Sequence, residues 1–332
     1  MTLLTSTQNL YKLARGMTRG MLSYVPGLDL FLTKHRGGGG TDSPRYCYSV
    51  WLRHLTMAYR NGLSTAPATV AELGPGDSVG VGLAALLTGS ERYWALDVLR
   101  YTDAKRNLEI FSGLIDLVRD RVPIPHGMEL AEVQPPLDSY DFPTRILTNE
   151  RLATALSPSR LDLLRRATLA LGTPSEPEDA LLSYMSSWDD GASIRETSVD
   201  AIFSQAVLEH VDDLAGTYKA MHSWLKPGGY MSHQIDFRSH NLTQAWNGHW
   251  GVSDFQWNLM RGKRAYFLNR EPCSRHLDLL SEFGFTVVGE HRVLDQGGIR
   301  RRALTVGFRD LSDQDLQTSG LFVQAVKNAE RG

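Results

Sequence analysis

A glycine-rich turn stands between an apolar segment and a helix-forming segment in the first quarter of the chain. Residues 68–73 are mostly apolar, Gly74, Pro75 and Gly76 follow, and residues 79–87 are apolar again. This order predicts a strand, a turn and a helix. Glycines adopt positive φ angles and let a ligand approach the backbone, and the first N–H groups of a helix have no partner within it. The segment is therefore a candidate nucleotide-binding turn.

An acidic residue follows at the spacing that suits a ribose. Residues 93–96 form a second short apolar run, which ends at Asp97. In nucleotide-binding α/β sheets, an acidic residue about 20 residues after the turn, at the tip of the second strand, binds the ribose hydroxyls. Asp97 is therefore the predicted ribose ligand.

The glycine spacing and the charges of the turn favour a cationic ligand over a dinucleotide. A dinucleotide turn reads Gly-x-Gly-x-x-Gly, whereas the third glycine falls one position later here, at Gly80. Glu72 and Asp77 lie next to the turn and would repel a pyrophosphate at the helix N-terminus. They would not repel the sulfonium and ammonium groups of S-adenosyl-L-methionine (SAM).

These residues resemble motifs of the class I SAM-dependent methyltransferases. Glu72-x-Gly74-x-Gly76 and Asp97 resemble the first two motifs, residues 199–211 resemble the fourth strand with its following turn, and residues 225–230 resemble the turn into the fifth strand. The resemblance implies an α/β fold with a Rossmann-like, doubly wound, mostly parallel seven-stranded sheet and an antiparallel edge strand. It also implies SAM as the cofactor and methyl transfer as the reaction.

The resemblance further indicates which residues contact the cofactor. We expect the adenine to lie against the turn after the third strand, where Trp188 and Asp189 are the candidates. The other expected cofactor-binding residues are Glu72, Gly74, Pro75, Gly76, Asp77, Asp97, Val98, Ser204, Gln205 and Ala206.

Candidate catalytic residues follow the predicted fourth and fifth strands. Methyl transfer is an in-line displacement that needs alignment and, for an oxygen nucleophile, often a base. His210 follows the fourth strand, and His233 and Asp236 lie near the end of the fifth, where the carboxyl ends of parallel strands border a ligand crevice. His210 is equally consistent with a structural or cofactor-side role, and His233 with a hydrogen-bonded core histidine.

Asp236 can orient a hydroxyl, act as a base or bind a metal. His233, His240 and His249 lie near enough in sequence to complete a divalent metal site. Their spacing forms no tight ligand motif, so the sequence favours a site without a metal.

A tryptophan cluster downstream of this stretch is the predicted substrate-binding segment. Trp246, Asn247, His249 and Trp250 combine flat apolar faces with polar groups, which suits a sugar ring. The alternative is a core cluster that fixes a loop.

Basic residues follow the tryptophan cluster and extend the range of acceptors. Arg261, Lys263, Arg264 and Arg270 can bind a phosphate of a nucleotide-sugar or a lipid-linked glycan, or be surface charge. The predicted partner is a small molecule, with a hydroxyl of a sugar or glycan precursor as the acceptor. Nitrogen and carbon acceptors remain open.

Two other functions compete with methyl transfer. A non-catalytic SAM-binding scaffold protein would keep the same cofactor residues. A nicotinamide-dependent oxidoreductase of the short-chain type would carry a Tyr-x-x-x-Lys pair after the fifth strand, whereas Tyr101 and Lys105 have that spacing after the second.

The composition is that of an ordinary globular protein. The 332 residues are 42% hydrophobic and 22% charged, and the formal net charge of −2 argues against a nucleic-acid partner. The two cysteines are too few for a disulfide framework or a zinc site. No apolar run reaches the roughly 18 residues of a transmembrane segment, and the N-terminus lacks the pattern of a signal peptide. We therefore expect a cytoplasmic protein.

The order of predicted elements divides the chain into several parts. Residues 1–66 form an N-terminal helical extension that packs on the domain or lies on a membrane surface. Residues 67–310 form the SAM-binding domain, with an inserted lid or subdomain at 121–180 that shapes the substrate pocket, contacts another copy or adds packing. Residues 311–332 form a C-terminal tail with a helix near 318–329. The last two strands are expected near 285–293 and 302–309.

Overall fold

Short apolar segments that alternate with helices along the chain become the strands of one central sheet. The computed structural model describes residues 7–25, 41–98, 102–171, 180–186, 194–264 and 267–328. The strands are β1 (Thr69–Leu73), β2 (Arg92–Asp97), β3 (Leu182–Ser186), β4 (Val199–Gln205), β5 (Leu225–Asp236), β6 (Phe285–Leu294) and β7 (Thr318–Lys327). Their order in the sheet is β3-β2-β1-β4-β5-β7-β6.

The first five strands in this order are parallel, and β7 runs antiparallel to both of its neighbours. The antiparallel strand therefore lies one place in from the edge, beside the edge strand β6. This arrangement confirms the predicted doubly wound, mostly parallel seven-stranded sheet.

Helices cover both faces of the sheet. Those of the described residues are α1 (Thr7–Leu22), α2 (Pro44–Arg60), α3 (Gly80–Leu87), α4 (Ala104–Arg119), α5 (Asn149–Ala155), α6 (Pro158–Ala170), α7 (Leu214–Trp224), α8 (Asp254–Arg261) and α9 (Cys273–Glu282). Alternate strand residues point to opposite faces. Val70 thus packs with α2 and α3 in one core cluster, while the next residue, Ala71, packs with α7 and α9 in the other.

The C-terminal part of the chain differs from the prediction. The prediction of a strand at 302–309 is wrong, because this segment forms two 3-10 turns at Arg301–Ala303 and Val306–Phe308. The helix expected near 318–329 is also wrong, because β7 occupies Thr318–Lys327 and pairs with β5 and β6. The sheet therefore extends past residue 310, where the sequence predicted the end of the domain. A strand that is buried on both faces has a continuous apolar run rather than an alternating one, and such a run also suits a helix.

The N-terminal helix α1 packs closely on α8. A Cβ at position 20 would lie 1.9 Å from the carbonyl oxygen of Leu259, so Gly20 permits this contact. Asn9 Oδ1 accepts a hydrogen bond of 2.9 Å from the N–H of Gln244, and Lys12 Nζ donates one of 3.3 Å to the carbonyl of Thr243. The helix is thereby fixed over the segment that follows β5, as the packed alternative predicted.

The outer face of α1 carries exposed apolar side chains, among them Leu10, Tyr11 and Met21. Peripheral contact of this face with a membrane stays a prediction. Each helix in the described part of the chain is too short or too polar to cross a membrane.

The insertion between α4 and β3 is anchored in two places. Its loop lies on α2, where the buried Arg53 donates hydrogen bonds to the carbonyls of Pro125 and Pro135. Its helices α5 and α6 are held by Arg151 Nε and Arg160 Nη2, each 2.6 Å from a carbonyl oxygen, of Thr88 and Ser90 respectively. Ser90 precedes β2, so these anchors lie at the amino end of that strand, away from Asp97. A lid role of the insertion stays a prediction.

Candidate active site

A crevice is expected where the winding of the sheet reverses, between β1 and β4. The chain continues from β1 to β2 and β3 on one side, and from β4 to β5 on the other. Ligands of open α/β sheets bind at such a switch point, outside the carboxyl ends of the strands. Leu73 at the end of β1 is in register with Leu96 on one side and Ser204 on the other. The turns after β1, β2 and β4 therefore meet at one edge of the sheet.

The turn after β1 depends on its glycines. Gly74 and Gly76 have φ angles of 64° and 71°, in the left-handed region that favours glycine. A Cβ at position 74 would lie 2.6 Å from Cγ2 of Val207, so the turns after β1 and β4 are in direct contact. Ala206, with φ of 55°, turns the chain at the end of β4. The left-handed conformations predicted from the glycines are thus present.

The amino end of α3 is not an open anion site. The N–H of Asp77 donates to Thr41 Oγ1 at 2.9 Å, that of Val79 to Asn107 Oδ1 at 3.2 Å, and that of Gly80 to Ser78 Oγ at 3.1 Å. Neighbouring side chains therefore supply acceptors for three N–H groups of the turn and of the helix start. This arrangement also suits a ligand that brings no phosphate to the turn.

Glu72 lies beneath the turn rather than on its surface. Its side chain is buried, and the Tyr93 hydroxyl donates a hydrogen bond of 2.5 Å to Oε2. Burial, with a smaller contribution from the charge of Asp97, raises the pKa of the Glu72 carboxyl to about 8, although the hydrogen bonds from Tyr93 and from the backbone N–H of Gly82 act in the opposite direction. Glu72 therefore supports the turn from below and holds a proton at neutral pH.

Asp97 stands at the tip of β2, where the sequence predicted a ribose ligand. Asp97 is 7% exposed, and the N–H of Val98 donates a hydrogen bond of 2.8 Å to its Oδ1. Asp77, on the turn after β1, is half-buried, and its Oδ1 lies 3.9 Å from Arg106 Nη1. A carboxylate can accept hydrogen bonds from the two hydroxyls of a ribose, and the left-handed glycines beside it suit a ligand without phosphates.

The predicted residues at the end of β4 separate into two groups. The Ser204 side chain is fully buried, and its Oγ lies 2.7 Å from His233 Nδ1, so it faces the core. Gln205 is half-buried and contacts His54 Nε2 at 3.3 Å, whereas Ala206 is exposed on the turn. The predicted adenine contacts Trp188 and Asp189 lie outside the described residues.

His233 is not brought to the crevice. It is fully buried, and burial together with the charges of His54 and His276 lowers the pKa of His233 to about 3. On β5 it points into the core cluster formed with α7 and α9. The structure therefore places this residue where a hydrogen-bonded core histidine is expected.

Four other side chains meet beyond the ends of β4 and β5, and we call them the carboxylate–histidine cluster: Glu209, His210, Asp236 and His240. Glu209 and His210 belong to the 3-10 turn Leu208–His210 after β4. Asp236 ends β5, and its Oδ2 lies 3.3 Å from His240 Nε2. The ring centroids of His210 and His240 are 5.1 Å apart. The structure thus unites two of the three predicted catalytic residues, Asp236 and His210.

The two carboxyl groups of the cluster have opposite electrostatic environments. Burial raises the pKa of Glu209 well above its ordinary value, the Asp236 charge raises it further, and backbone N–H groups offset this only in part. Burial alone would also raise the pKa of Asp236. The hydrogen bond and charge of His240, with the backbone N–H of Arg238, outweigh it and lower the pKa of Asp236. Asp236 is therefore the ionised carboxylate of the cluster.

A small pocket opens to solvent beside the cluster. Asn269 forms part of its wall, because the backbone N–H of Asn269 donates to the Glu209 carbonyl at 2.8 Å. His249 is buried, and burial together with the charges of Arg270 and His240 lowers its pKa to about 3. The lining residues are Glu209, Asp236, Phe237, Arg238, His249, Leu268, Asn269, Arg270 and Glu271.

The other members of the tryptophan cluster support this pocket from behind. Asn247 Oδ1 accepts a hydrogen bond of 2.6 Å from the N–H of Ile299, and the side chain is fully buried. Trp250 is also fully buried, and its Nε1 donates to the Arg270 carbonyl at 2.8 Å. The half-buried Trp246 packs edge-to-face on Trp250 at 5.9 Å. Of the four predicted substrate residues, His249 lines the pocket, while Asn247 and Trp250 fix the loop.

Comparison with known proteins agrees with the architecture. Residues 167–232, which include β3, β4, α7 and the start of β5, match the family model described as a methyltransferase domain. The sheet order around this segment is the one that the resemblance implied. This part of the chain is therefore similar to a methyltransferase domain.

Several solved structures are similar to this chain at low identity. One is a chain of the Haloferax volcanii complex between the Trm112 methyltransferase activator and a methyltransferase. It has 15% sequence identity and a TM-score of 0.41, and the match covers 86% of this chain and 91% of that chain. A SAM-dependent methyltransferase from Mesorhizobium loti has 14% identity, coverage of 82% and 97%, and a TM-score of 0.39.

Phosphoethanolamine N-methyltransferase 2 of Haemonchus contortus, in complex with SAM, has 12% identity, coverage of 84% and 53%, and a TM-score of 0.41. No curated protein sequence matches the chain.

The basic residues that were expected to bind a phosphate have partners within the chain. Arg261 pairs with Asp212, and Arg270 pairs with Asp254 at 2.7 Å. Arg264 donates to the carbonyl of Met260, and Lys263 lies 5.4 Å from the centre of the Tyr24 ring. These contacts support the alternative of structural and surface charge.

Some residues at the site were not selected from the sequence. Glu209 completes the cluster and Asn269 supplies its wall, while His240 was considered from the sequence only as a possible metal ligand. Burial, together with nearby charges that include those of Glu72 and Glu209, raises the pKa of Tyr46 at the start of α2. The Leu-Glu-His-Val run after the fourth strand is the sequence signal that could have pointed to Glu209.

Proposed function

We propose that the chain transfers a methyl group from SAM to a hydroxyl of a small-molecule acceptor, a sugar or glycan precursor. One observation carries this proposal: Asp97 and the Asp236–His240 pair stand at the carboxyl ends of β2 and β5, on either side of the β1–β4 switch point. A cofactor bound at the first and an acceptor bound at the second would share one crevice.

Asp97 is the proposed ligand of the cofactor ribose, and residues 74–77 are the proposed floor beneath it. The left-handed Gly74 and Gly76 keep side chains out of this floor. Val98 and Ala206 would border the cofactor from the turns after β2 and β4, and Gln205 from the end of β4. When bound, SAM supplies an electrophilic methyl group on a positively charged sulfur.

Asp236 is the proposed acceptor of the hydroxyl proton. Its carboxylate is ionised, partly buried and oriented by His240, so it can hold the acceptor hydroxyl in line and take its proton as the new C–O bond forms. His210 stands against His240 and completes the polar wall. Positioning of this kind is the contribution that a protein makes to such a displacement.

The pocket residues favour a polyhydroxylated acceptor. Asn269 and Glu271 offer hydrogen-bonding groups, and His249 lies in the wall. Arg238 is exposed at the same opening and is suited to a phosphate of a nucleotide-sugar or a lipid-linked glycan. The alternative function is a SAM-binding scaffold protein that uses α1 and the insertion for partners.

An acceptor screen tests this proposal. Purified protein is incubated with SAM labelled in the methyl group and with nucleotide-sugars, free glycans and lipid-linked glycans, and label transfer is measured together with S-adenosylhomocysteine release. We expect turnover on a hydroxylated sugar, with loss in Asp97→Ala and Asp236→Asn. Transfer to an amine alone would reject the hydroxyl acceptor. SAM binding without turnover on any compound would favour the scaffold function.

A further inference from the structure

Three side chains of the carboxylate–histidine cluster have the composition and spacing of a metal-ligand set. Glu209, His210 and His240 each offer one ligand atom, and these atoms lie within 4.8 Å of one another. Two imidazoles and a carboxylate form a familiar set for zinc and for other divalent first-row transition ions. We propose that Glu209, His210 and His240 bind one divalent transition-metal ion at the end of β4.

The Glu209 side chain gives independent support. The residue is 3% exposed. Among the residues that the structure describes, backbone N–H groups of Glu209 and Asp236 lie near the carboxylate, but no group is in hydrogen-bond geometry with either oxygen. A buried carboxyl group without a partner is costly, and buried charges are normally paired or bind metals. Arg270 lines the same pocket but is engaged by Asp254, 2.7 Å away. A bound cation would supply the partner that the fold leaves out.

Asp236 supports the site from behind. Its Oδ2 lies 3.3 Å from Nε2 of His240, which is the carboxylate–histidine contact that commonly orients a ligating imidazole and raises its basicity. His240 and Asn241 have φ angles of 45° and 62°. These two left-handed residues turn the chain after β5 so that the His240 ring faces His210.

Three protein ligands leave a coordination position for another molecule, as catalytic metal sites do. The cluster lies beside the pocket lined by Asp236, Asn269 and Arg238. If the proposed function holds, an oxygen of the acceptor is the group that fits this position, and the ion would make a hydroxyl more acidic next to Asp236. Imidazole ligands favour zinc, copper, iron or nickel over magnesium, calcium and manganese, which prefer oxygen.

Metal titration of the full chain tests the site without any acceptor. Untagged protein is dialysed against a chelator and then titrated with Zn²⁺ and with Mn²⁺ by calorimetry, and the visible spectrum is recorded with Co²⁺. We expect one ion per chain and an absorption spectrum typical of nitrogen and oxygen ligands. His240→Ala and Glu209→Gln should each weaken Zn²⁺ binding by at least about tenfold.

His126→Ala is the matched control, because His126 is exposed and lies in the insertion, outside the cluster. Its Zn²⁺ affinity should equal that of the unchanged chain. His240 is only partly buried, so His240→Ala is expected to keep the fold, and circular dichroism of each variant checks this.

The proposal is overturned if the chain binds no metal ion, or if His240→Ala binds Zn²⁺ as tightly as His126→Ala does. SAM titration of the same samples separates the two proposals. If the chain binds SAM and transfers the methyl group but binds no metal ion, the metal site is rejected and the methyl-transfer proposal is unaffected. If Glu209→Gln instead abolishes SAM binding without any metal effect, Glu209 belongs to the cofactor site and the metal proposal fails.

Discussion

Asp236 Oδ2 lies 3.3 Å from Nε2 of His240, four residues further along the chain. The contact joins the end of β5 to a left-handed turn, and it keeps the Asp236 carboxylate ionised within a partly buried site. Because β5 is parallel to β4, the same edge of the sheet also presents Glu209 and His210. The acceptor side of the proposed active site is therefore assembled from the turns that follow two adjacent strands.

Replacement of Asp236 by asparagine should separate chemistry from cofactor binding. Asp236→Asn keeps the size of the side chain but removes the proposed proton acceptor, so we expect turnover to fall by roughly 100-fold. The dissociation constant for SAM should change by less than about twofold, because Asp97 and the turn after β1 are untouched. Initial rates on the acceptor and calorimetry with SAM measure both quantities.

Asp278→Asn is the control for this change, since Asp278 is exposed on α9, and it should retain full activity. Full activity in Asp236→Asn would exclude Asp236 as the base.

The Asp97 side chain should contribute to the affinity for SAM. Asp97→Ala removes the carboxylate proposed to bind the ribose, and a hydrogen bond to a charged group is worth about 1.5–3 kcal/mol, so binding should weaken at least roughly tenfold. Calorimetric titration measures the change. Asp116→Ala, on the exposed face of α4, should leave the affinity unaltered. An equal dissociation constant for Asp97→Ala and the unchanged chain would remove Asp97 from the site.

Glu72 should make the stability of the fold depend on pH. The pKa of its carboxyl is about 8 in the folded chain and near the ordinary 4.5 when unfolded. Between these values the unfolded chain has released a proton that the folded chain keeps, so the free energy of unfolding falls as the pH rises through this window. Below about pH 4.5 the contribution is fully present, and above about pH 8 it is lost.

Comparison with Glu72→Gln isolates this effect, because glutamine can still accept the Tyr93 hydrogen bond but does not titrate. Urea unfolding of both chains at several pH values measures the difference in unfolding free energy. We expect the advantage of the unchanged chain over Glu72→Gln to shrink as the pH rises from 5 to 8. A difference that is constant with pH would show that Glu72 has an ordinary pKa.

The contact of α1 with α8 should depend on the absence of a side chain at position 20. In Gly20→Ala the new Cβ would lie 1.9 Å from the Leu259 carbonyl oxygen, so a backbone segment must move. Overpacking of this kind costs about 1–3 kcal/mol. Amide hydrogen exchange of α1 and α8 should therefore become faster in this variant.

Gly127→Ala is its control, because no atom lies within 4 Å of a Cβ at that position. Unchanged exchange in Gly20→Ala would contradict the packing of α1 described above.

Much of the sheet could be predicted because its signals are local. β1, β2 and β4 are short apolar runs that end at turn residues, and their observed bounds differ from the prediction by at most one residue. β7 could not be predicted in this way. Its apolar residues do not alternate with polar ones, since only Gln324 interrupts the run from Leu321 to Val326, and its place between β5 and β6 depends on pairing with strands that are distant in sequence.

The candidate site likewise contains residues that local sequence predicts and contacts that depend on distant segments. Gly74, Gly76 and Asp97 were found because a turn and the tip of a strand are encoded by neighbouring residues. The contact of His210 with His240 was not predicted, because it depends on how the turn after β4 packs against the turn after β5. Successive side chains of a strand point to opposite faces, and His233 and Asp236 are three residues apart on β5. The His233 side chain is therefore directed into the core, next to Ser204, and Asp236 is not.

Calorimetric titration with SAM, S-adenosylhomocysteine and NADH is the experiment that shows whether the turn after β1 and Asp97 bind SAM. We expect the first two compounds to bind with one site per chain and NADH not to bind, and we expect Asp97→Ala to weaken both interactions. Binding of NADH alone would contradict this expectation, because the turn after β1 would then serve a dinucleotide.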